Sequence, residues 1–241
     1  NIQTKNFTWS STLTYNRKRE KITELIDGRD IFPSSGFERS SLLLGRPITS
    51  FYTFDKLGIW QLDEAAEAAS YKVGNYAFQP GDIKVRDING DFLINASDLT
   101  YVGSTVPDWI AGIQNNFTYK NFDLGFNLRA SVGNRILNTT KSTRSYSSTL
   151  QEGQALENIS TFYEFTGFQQ QNGENVLSDM FVENGSFLRM DYATLGYTFP
   201  KWLEGKASLR LFTSVQNPFI ITEYDGLDPE ITGGIDATIY P

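Results

Sequence analysis

Neither cysteine nor histidine occurs in the 241 residues of this chain. The first absence excludes a disulfide framework and a thiolate nucleophile. The second removes the Ser-His-Asp triad, the Cys-His pair and the usual zinc sites together. No run of about 18 apolar residues occurs, so no stretch reads as a transmembrane helix. Membrane strands stay open, because a β-strand crosses a bilayer in about 10 residues of alternating pattern that hydropathy registers weakly. Basic charge is scarce as well, with a formal net charge of −7. The one basic cluster, Arg17-Lys18-Arg19 with Lys21, is interrupted by Glu20 and reads as a solvated strand end. No nucleic-acid partner is expected. No signal peptide precedes Asn1, which opens into a strand-like pattern, so the chain reads as a piece of something longer.

Aromatic residues are abundant: 18 Phe and 12 Tyr, an enrichment that favours strands. Residues 7–15 alternate cleanly. Phe7, Trp9, Leu13 and Tyr15 share one face with Ser11, and Thr8, Ser10, Thr12, Thr14 and Asn16 share the other. Residues 18–26 are expected to extend this strand. Ile110–Tyr119 reads as a second strand, Lys120-Asn121 as a tight turn, and Phe122–Val132 as the sharpest strand of the chain. In that last run Phe122, Leu124, Phe126, Leu128, Ala130 and Val132 alternate with Asp123, Gly125, Asn127, Arg129 and Ser131. The two runs predict an antiparallel hairpin. Phe187–Phe199 and Ala207–Val215 read as two further strands, with a turn over Pro200–Gly205 and a loop from residue 218 onward.

Between these strands lie two long polar segments, 27–108 and 133–185. The first holds short strand candidates at Ile48–Phe54 and Gly58–Leu62, and a short helix over Asp63–Ser70 with Asp63 as its cap. The second holds a turn or two of helix over Glu152–Tyr163. Long and short connections alternate strictly along the chain. An outer-membrane barrel has this pattern, with long extracellular loops and short periplasmic turns, whereas a soluble sandwich has no reason for it. Trp9, Tyr15, Trp109, Tyr119, Phe122, Tyr197 and Trp202 fall near strand ends, as interfacial girdles require. The expected fold is all-β, a segment of a large antiparallel transmembrane barrel. Segments 27–108 and 133–185 are expected outside the membrane on the same side, because irregular backbone is not tolerated in hydrocarbon.

The stretch from Gly81 to Asp98 carries the one motif with metal chemistry. Counting Asp87 as position 1, side-chain oxygens fall at 1 (Asp87), 3 (Asn89), 5 (Asp91), 9 (Asn95) and 12 (Asp98), and position 7 (Leu93) offers its backbone carbonyl. That is the ligand spacing of an EF-hand-type calcium loop. Phe92 stands at position 6, where such a loop has Gly, and Asp98 replaces the bidentate Glu. The residues before the loop read as extended, so no helix pair is expected. Three carboxylates in one short loop would repel each other without a cation. The expectation is a structural calcium held by Asp87, Asn89, Asp91, Leu93, Asn95 and Asp98.

Several stretches, in order, resemble the C-terminal part of the SusC/RagA family of TonB-dependent outer-membrane transporters. They are Gly45-Arg46-Pro47-Ile48-Thr49-Ser50-Phe51-Tyr52 with Gly58-Ile59-Trp60-Gln61, then Pro80-Gly81-Asp82-Ile83 running through Asp87-Ile88-Asn89-Gly90-Asp91 to Tyr101-Val102-Gly103-Ser104. Further on come Ser186-Phe187-Leu188-Arg189 with Thr194-Leu195-Gly196-Tyr197-Thr198-Phe199-Pro200, and Gln216-Asn217-Pro218-Phe219 with Tyr224-Asp225-Gly226-Leu227-Asp228-Pro229-Glu230. Gly234-Ile235-Asp236 and Tyr240-Pro241 close the set. The resemblance implies a barrel of about 22 strands closed by a plug. It implies import of glycans or peptides across the outer membrane of a Gram-negative, Bacteroidota-type cell, a SusD-like lipoprotein over the extracellular mouth, and energy from the TonB complex. By the same resemblance the chain spans barrel strands and extracellular loops, with the plug and the terminal strand outside it.

Two other readings compete. A soluble carbohydrate-binding β module with a structural calcium would bury the apolar strand face that a barrel turns to lipid. A glycosidase would need paired carboxylates; Asp63, Glu64, Glu157 and Glu164 lie in loops, with no pairing legible in the sequence. The chain is therefore expected not to be an enzyme. The six Asn-x-Ser/Thr matches, such as Asn138-Thr139-Thr140, are incidental in a bacterial-type barrel.

Overall fold

The structure is a computed structural model that describes residues 1–32, 38–145, 160–162, 178–231 and 234–236. The chain forms two compact units interleaved along the sequence. Residues 1–19, 107–134 and 185–224 make the first, and 20–106, 135–184 and 225–241 make the second. Among the described residues no helix is long and apolar enough to cross a membrane.

The second unit is built from short pieces. Strands Glu38–Ser41, Ser50–Phe54 and Leu99–Ser104 form one sheet, and Lys56–Ile59 pairs with Ile83–Val85 in another. Arg135–Asn138 lies between Val182–Asn184 and Ile235–Asp236. Phe51, Trp60, Phe78, Ile83, Val85, Ile94 and Phe181 are buried together as the core. The expected strand over Gly58–Leu62 ends at Ile59, because the chain turns there into a 3-10 turn, Leu62–Glu64, and a short helix, Ala65–Ala68. The cap is Gln61 rather than Asp63: its N–H donates to Glu64 Oε2 at 3.0 Å, in a reciprocal capping box. The helical turns expected over Glu152–Tyr163 lie outside the described residues except at 160–162.

Five long strands build the first unit: β1 (Phe7–Asn16), β2 (Trp109–Tyr119), β3 (Phe122–Val132), β4 (Phe187–Trp202) and β5 (Ala207–Thr222). They pair in that order, all antiparallel, and Ile2–Gln3 pairs with the other edge of β1. The register follows the alternation. One apolar row runs Leu13, Ile113, Leu128, Met190, Phe219 across the five strands. The next polar row runs Thr12, Gln114, Asn127, Tyr192, Gln216. The apolar face stays open, with Leu13 72% and Leu211 57% exposed. One polar pair interrupts it: Asn115, opposite Ser11, is buried and accepts from Trp9 Nε1 at 2.9 Å. Asn16, Trp109, Val132, Phe187 and Thr222 line up at one end of the sheet, and the turns at Lys120-Asn121 and 203–206 lie at the other. Every long connection therefore leaves and rejoins the sheet at the same end. The strand expected over 18–26 stops at Asn16, because its neighbour β2 begins at Trp109 and offers no partner beyond it.

Both proline-bearing ends run longer than the sequence pattern suggests. β4 continues through Pro200 to Trp202, and β5 continues through Pro218 to Thr222. Proline lacks the N–H that a ladder uses, so it is tolerated where pairing is already broken. The ladder skips Pro200 between Phe199 and Trp202, and it passes from Gln216 to Phe219 across Pro218, with Asn217 at φ 47°. On the facing strand the ladder passes from Met190 to Tyr192, which leaves Asp191 as the extra residue of a β-bulge at the same level.

Near the turn end, Arg210 on β5 reaches over β4 to Asp123 on β3. Its Nε donates to Oδ1 at 3.0 Å and an Nη2 to Oδ2 at 2.6 Å. The side chain that would stand between them is missing, because the β4 residue there is Gly196, and a Cβ on it would lie 2.5–2.6 Å from the carboxylate oxygens and the guanidinium. Gly196→Val is expected to break this bidentate pair and to lower unfolding stability in the full-length protein by about 1–3 kcal/mol, the usual cost of overpacking. Gly125→Ala is the contrasting variant, expected to cost less, since the Cβ added there meets Asn116 Oδ1 at 3.0 Å and the Asn115 carbonyl at 3.9 Å, with no ion pair in its way. Urea unfolding followed by gel mobility without boiling measures both.

Candidate functional site

The Asp-rich loop leaves strand Ile83–Val85 and ends in the 3-10 turn Ala96–Asp98, which feeds strand Leu99–Ser104. The approach is extended, as the sequence predicts. Asx turns shape the loop. Asp87 accepts from the N–H groups of Gly90 (2.7 Å) and Phe92 (2.8 Å). Asn89 Oδ1 accepts from Asp91 N, and its Nδ2 donates to Asp91 Oδ2. Asp91 Oδ1 accepts from Leu93 N at 2.8 Å. Asn95 Oδ1 accepts from Ser97 N, while its Nδ2 donates to the Leu93 carbonyl. Asp98 is fully buried and spans the loop: Oδ1 accepts from Ile88 N and Oδ2 from Asn95 N, both at 2.9 Å.

Phe92 takes the left-handed backbone that the missing glycine would have adopted, with φ 63°. Its ring packs on Tyr71 at 5.1 Å, and the loop is stitched to the preceding segment by Lys72 N to Phe92 O and Ile94 N to Lys72 O. The turn thus survives the substitution that the spacing argument regards as its weak point.

The oxygens expected on a cation all accept hydrogen bonds within the loop itself. Every carboxylate oxygen of Asp87, Asp91 and Asp98 accepts an N–H from within the loop. Among the described residues no group of three or more acidic side chains is placed to hold a metal ion. The loop's own donors offset the charge repulsion that the sequence assigns to a cation, because backbone N–H groups stabilise ionised carboxylates.

Of the four acids weighed for glycoside cleavage, Glu157 and Glu164 lie outside the described residues. Glu64 accepts from Lys84 Nζ at 2.7 Å as well as from Gln61 N. The Lys84 hydrogen bond holds its carboxyl below the ordinary range, the opposite of what a proton donor needs. Lys84 lies over the Trp60 ring at 4.0 Å. A second lysine, Lys141, closes a separate clamp: Nζ donates to Glu183 at 3.1 Å and to Asp225 at 2.6 Å. Burial opposes the charge on Lys141, but the two carboxylates outweigh it and its pKa lies above the usual lysine value.

The polar face of the strand sheet carries a cluster that the spacing argument passes over. Arg129 and Arg189 are direct cross-strand partners. Their guanidinium carbons stand 5.8 and 5.6 Å from the centroid of one ring, Phe187. Asp191, the bulge residue, accepts from Asn127 Nδ2 at 2.6 Å and from Arg129 Nη2 at 3.1 Å. Tyr192 faces the same way, and its hydroxyl accepts from Gln114 Nε2 at 3.2 Å. One signal in the sequence marks the bulge. Apolar residues occupy 188 and 190, then 193, 195, 197 and 199, a change of phase by one residue.

Asp98→Ala is expected to leave the Ile88 and Asn95 N–H groups without acceptors in a buried setting, at about 1–3 kcal/mol for each group left unsatisfied. Limited proteolysis of the full-length protein should then cut between residues 87 and 98, where the parent chain resists. An unchanged digestion pattern would show that Asp98 does not hold the loop.

No family model matches the chain. Among curated proteins it is 31% identical over its whole length to the TonB-dependent receptor SusC of Bacteroides thetaiotaomicron, and 31% identical over 95% of its length to TonB-dependent receptor P3 of Formosa agariphila. The chain spans 24% of the length of each. Among solved structures, that of the RagAB peptide transporter matches over 98% of this chain and 26% of its own, with a TM-score of 0.68 at 20% identity, which speaks to the fold. The same system in its open-open state matches with a TM-score of 0.66. The open apolar face, the alternation of long and short connections and these likenesses agree: the chain belongs to the SusC/RagA family of TonB-dependent receptors, as a portion of the transmembrane β-barrel.

Proposed function

We propose that this chain supplies wall strands and mouth-side segments of an outer-membrane importer that takes up a nutrient, a glycan or a peptide, with energy delivered through TonB. In this reading the open apolar face of β1–β5 meets lipid and the polar face lines the lumen. Segments 27–108 and 133–185 stand outside the cell, where a SusD-like lipoprotein would cover the mouth. The observation that carries the reading is the sheet itself: one face alternates to apolar and stays exposed, and every long excursion leaves from the same end. The names of the relatives support the class, since they are receptors and transporters. A soluble carbohydrate-binding module would cover the apolar face with a second layer, and nothing in the strand unit favours that arrangement.

Calcium at the Asp87–Asp98 loop belongs to this proposal in a weak form. Its support is the ligand spacing. A cation there would compete with the loop's own N–H donors for the oxygens of Asp87, Asp91 and Asp98. Isothermal titration of the full-length protein should give an affinity no tighter than about 10⁻⁴ M, the range of extracellular modules. Micromolar binding would mean that the loop rearranges around the ion.

Topology is tested by single cysteines introduced into the full-length protein. Cysteines at Ser70 and Thr143 should react with a membrane-impermeant maleimide on intact cells. Those at Lys120 and Glu204, in the two short turns, should react only after the outer membrane is opened. Labelling of Lys120→Cys or Glu204→Cys on intact cells would overturn the assignment of sides.

A further inference from the structure

We propose that the turn end of the strand unit is a docking surface for the phosphate headgroup of an anionic phospholipid; this rests on the import reading above, which sets that end at the periplasmic leaflet. Three short turns lie there. Residues 4–6 join Ile2–Gln3 to β1, Lys120-Asn121 joins β2 to β3, and residues 203–206 join β4 to β5. Asn6 O accepts from Lys120 N at 2.8 Å, and Asn121 O accepts from Thr198 N at 2.9 Å, so the turns stand side by side. Each carries lysine: Lys5 in the first, Lys120 in the second, and Lys206 in the third, with Lys201 just before it on β4. All four are exposed, and none forms an ion pair among the described residues. The acids at this end are Asp123, already matched by Arg210, and Glu204. A chain of net charge −7 thus presents a positive end.

A belt of rings lies beside these lysines. Phe122 and Tyr197 are cross-strand partners with centroids 4.6 Å apart, Tyr197 stands 4.7 Å from Phe199, and Phe199 stands 5.9 Å from Trp202. Phe122, Phe199 and Trp202 are exposed, and the belt continues the apolar face on which Leu124 and Leu195 are partners. Aromatic rings collect where acyl chains give way to headgroups. A lysine stem lies along such apolar surface while its ammonium stays on the water side. A phosphate at that level meets compact point cations beside a low-dielectric layer, where attraction is stronger than in bulk water. The acyl chains of the same molecule would lie along the apolar face. A lipid uses both features, whereas a soluble phosphate uses the lysines alone. The excess of positive charge selects an anionic headgroup over a zwitterionic one. Each basic residue close to an anionic lipid surface is worth about fivefold in binding. Two lysines meeting one headgroup therefore predict a preference of at least about tenfold.

Native mass spectrometry of the full-length protein tests this, with palmitoyl-oleoyl phosphatidylglycerol and palmitoyl-oleoyl phosphatidylethanolamine added in equal amounts to the detergent. The phosphatidylglycerol adduct should exceed the phosphatidylethanolamine adduct about tenfold or more. The combined variant K5Q/K120Q/K201Q/K206Q should bring the ratio to about one, whereas arginine at the same four positions should keep it. K201Q/K206Q alone, which leaves the other two turns untouched, should already lower the ratio at least twofold. Gel mobility without boiling should match the parent in every variant, since these ammonium groups carry no ion pair within the fold. Inorganic phosphate at matched ionic strength should leave the ratio unchanged. Equal adducts in the parent, a preference undiminished in the glutamine variants, its loss in the arginine variant, or its loss to inorganic phosphate would each overturn the proposal. The import reading is judged separately. Cysteines at Lys120 and Glu204 that stay protected on intact cells leave its assignment of sides standing whatever the lipid result, and their labelling on intact cells counts against that assignment even where the lipid preference is found.

Discussion

In hydrocarbon a peptide group has no water to bond with, so each N–H and C=O of a membrane strand needs a partner on a neighbouring strand. That requirement governs the strand unit. The five strands form one antiparallel ladder, and irregular backbone is confined to the ends and to one level where both β4 and β5 depart from it. Once the ladder is fixed, side-chain period two assigns each residue to lipid or to lumen. The one polar pair on the apolar face obeys the same logic, since the Asn115 carbonyl oxygen is satisfied by the Trp9 indole.

The strand unit was largely legible because alternation is a local property. Phe122–Val132 predicted its own faces, and Tyr119–Phe122 its own turn. The limits of the reading have physical causes. Pro200 and Pro218 looked like breakers, yet each falls where no ladder bond is required of it. Residues 18–26 looked like a continuation of β1, yet β2 begins at Trp109 and offers it no partner beyond Asn16. In the second unit, short strands owe their existence to partners remote in sequence, as Ser50–Phe54 does to Leu99–Ser104, and such pairing leaves little local trace.

The Asp-rich loop shows the same division. Spacing predicted where oxygens would stand and that the approach would be extended. It could not indicate whether those oxygens would face a cation or the loop's own amides, because Asx turns and calcium cages draw on the same residues. Phe92 at φ 63° illustrates the point: the backbone shape is kept without glycine, held by the Tyr71 ring and two strand-like hydrogen bonds. The wall cluster around Phe187 was hidden for another reason. Its members belong to two strands and a bulge, and only the register brings Arg129 opposite Arg189.

The pairing of β1 with β2 has a kinetic side. Trp9 and Asn115 meet across 106 residues of chain, most of which fold into the second unit. Closing so long a loop carries an entropic cost that must be met before the contact rewards it, and folds dominated by such pairings form slowly. The hairpin β2–β3, joined by two residues, can form at once. Until β1 arrives, the β2 edge displays unpaired peptide groups beside an apolar face, which is the surface that strands of other molecules would add to. If the hairpin forms first and the distant strand last, as loop-closure entropy favours, β2 is an edge that needs shielding in the interval.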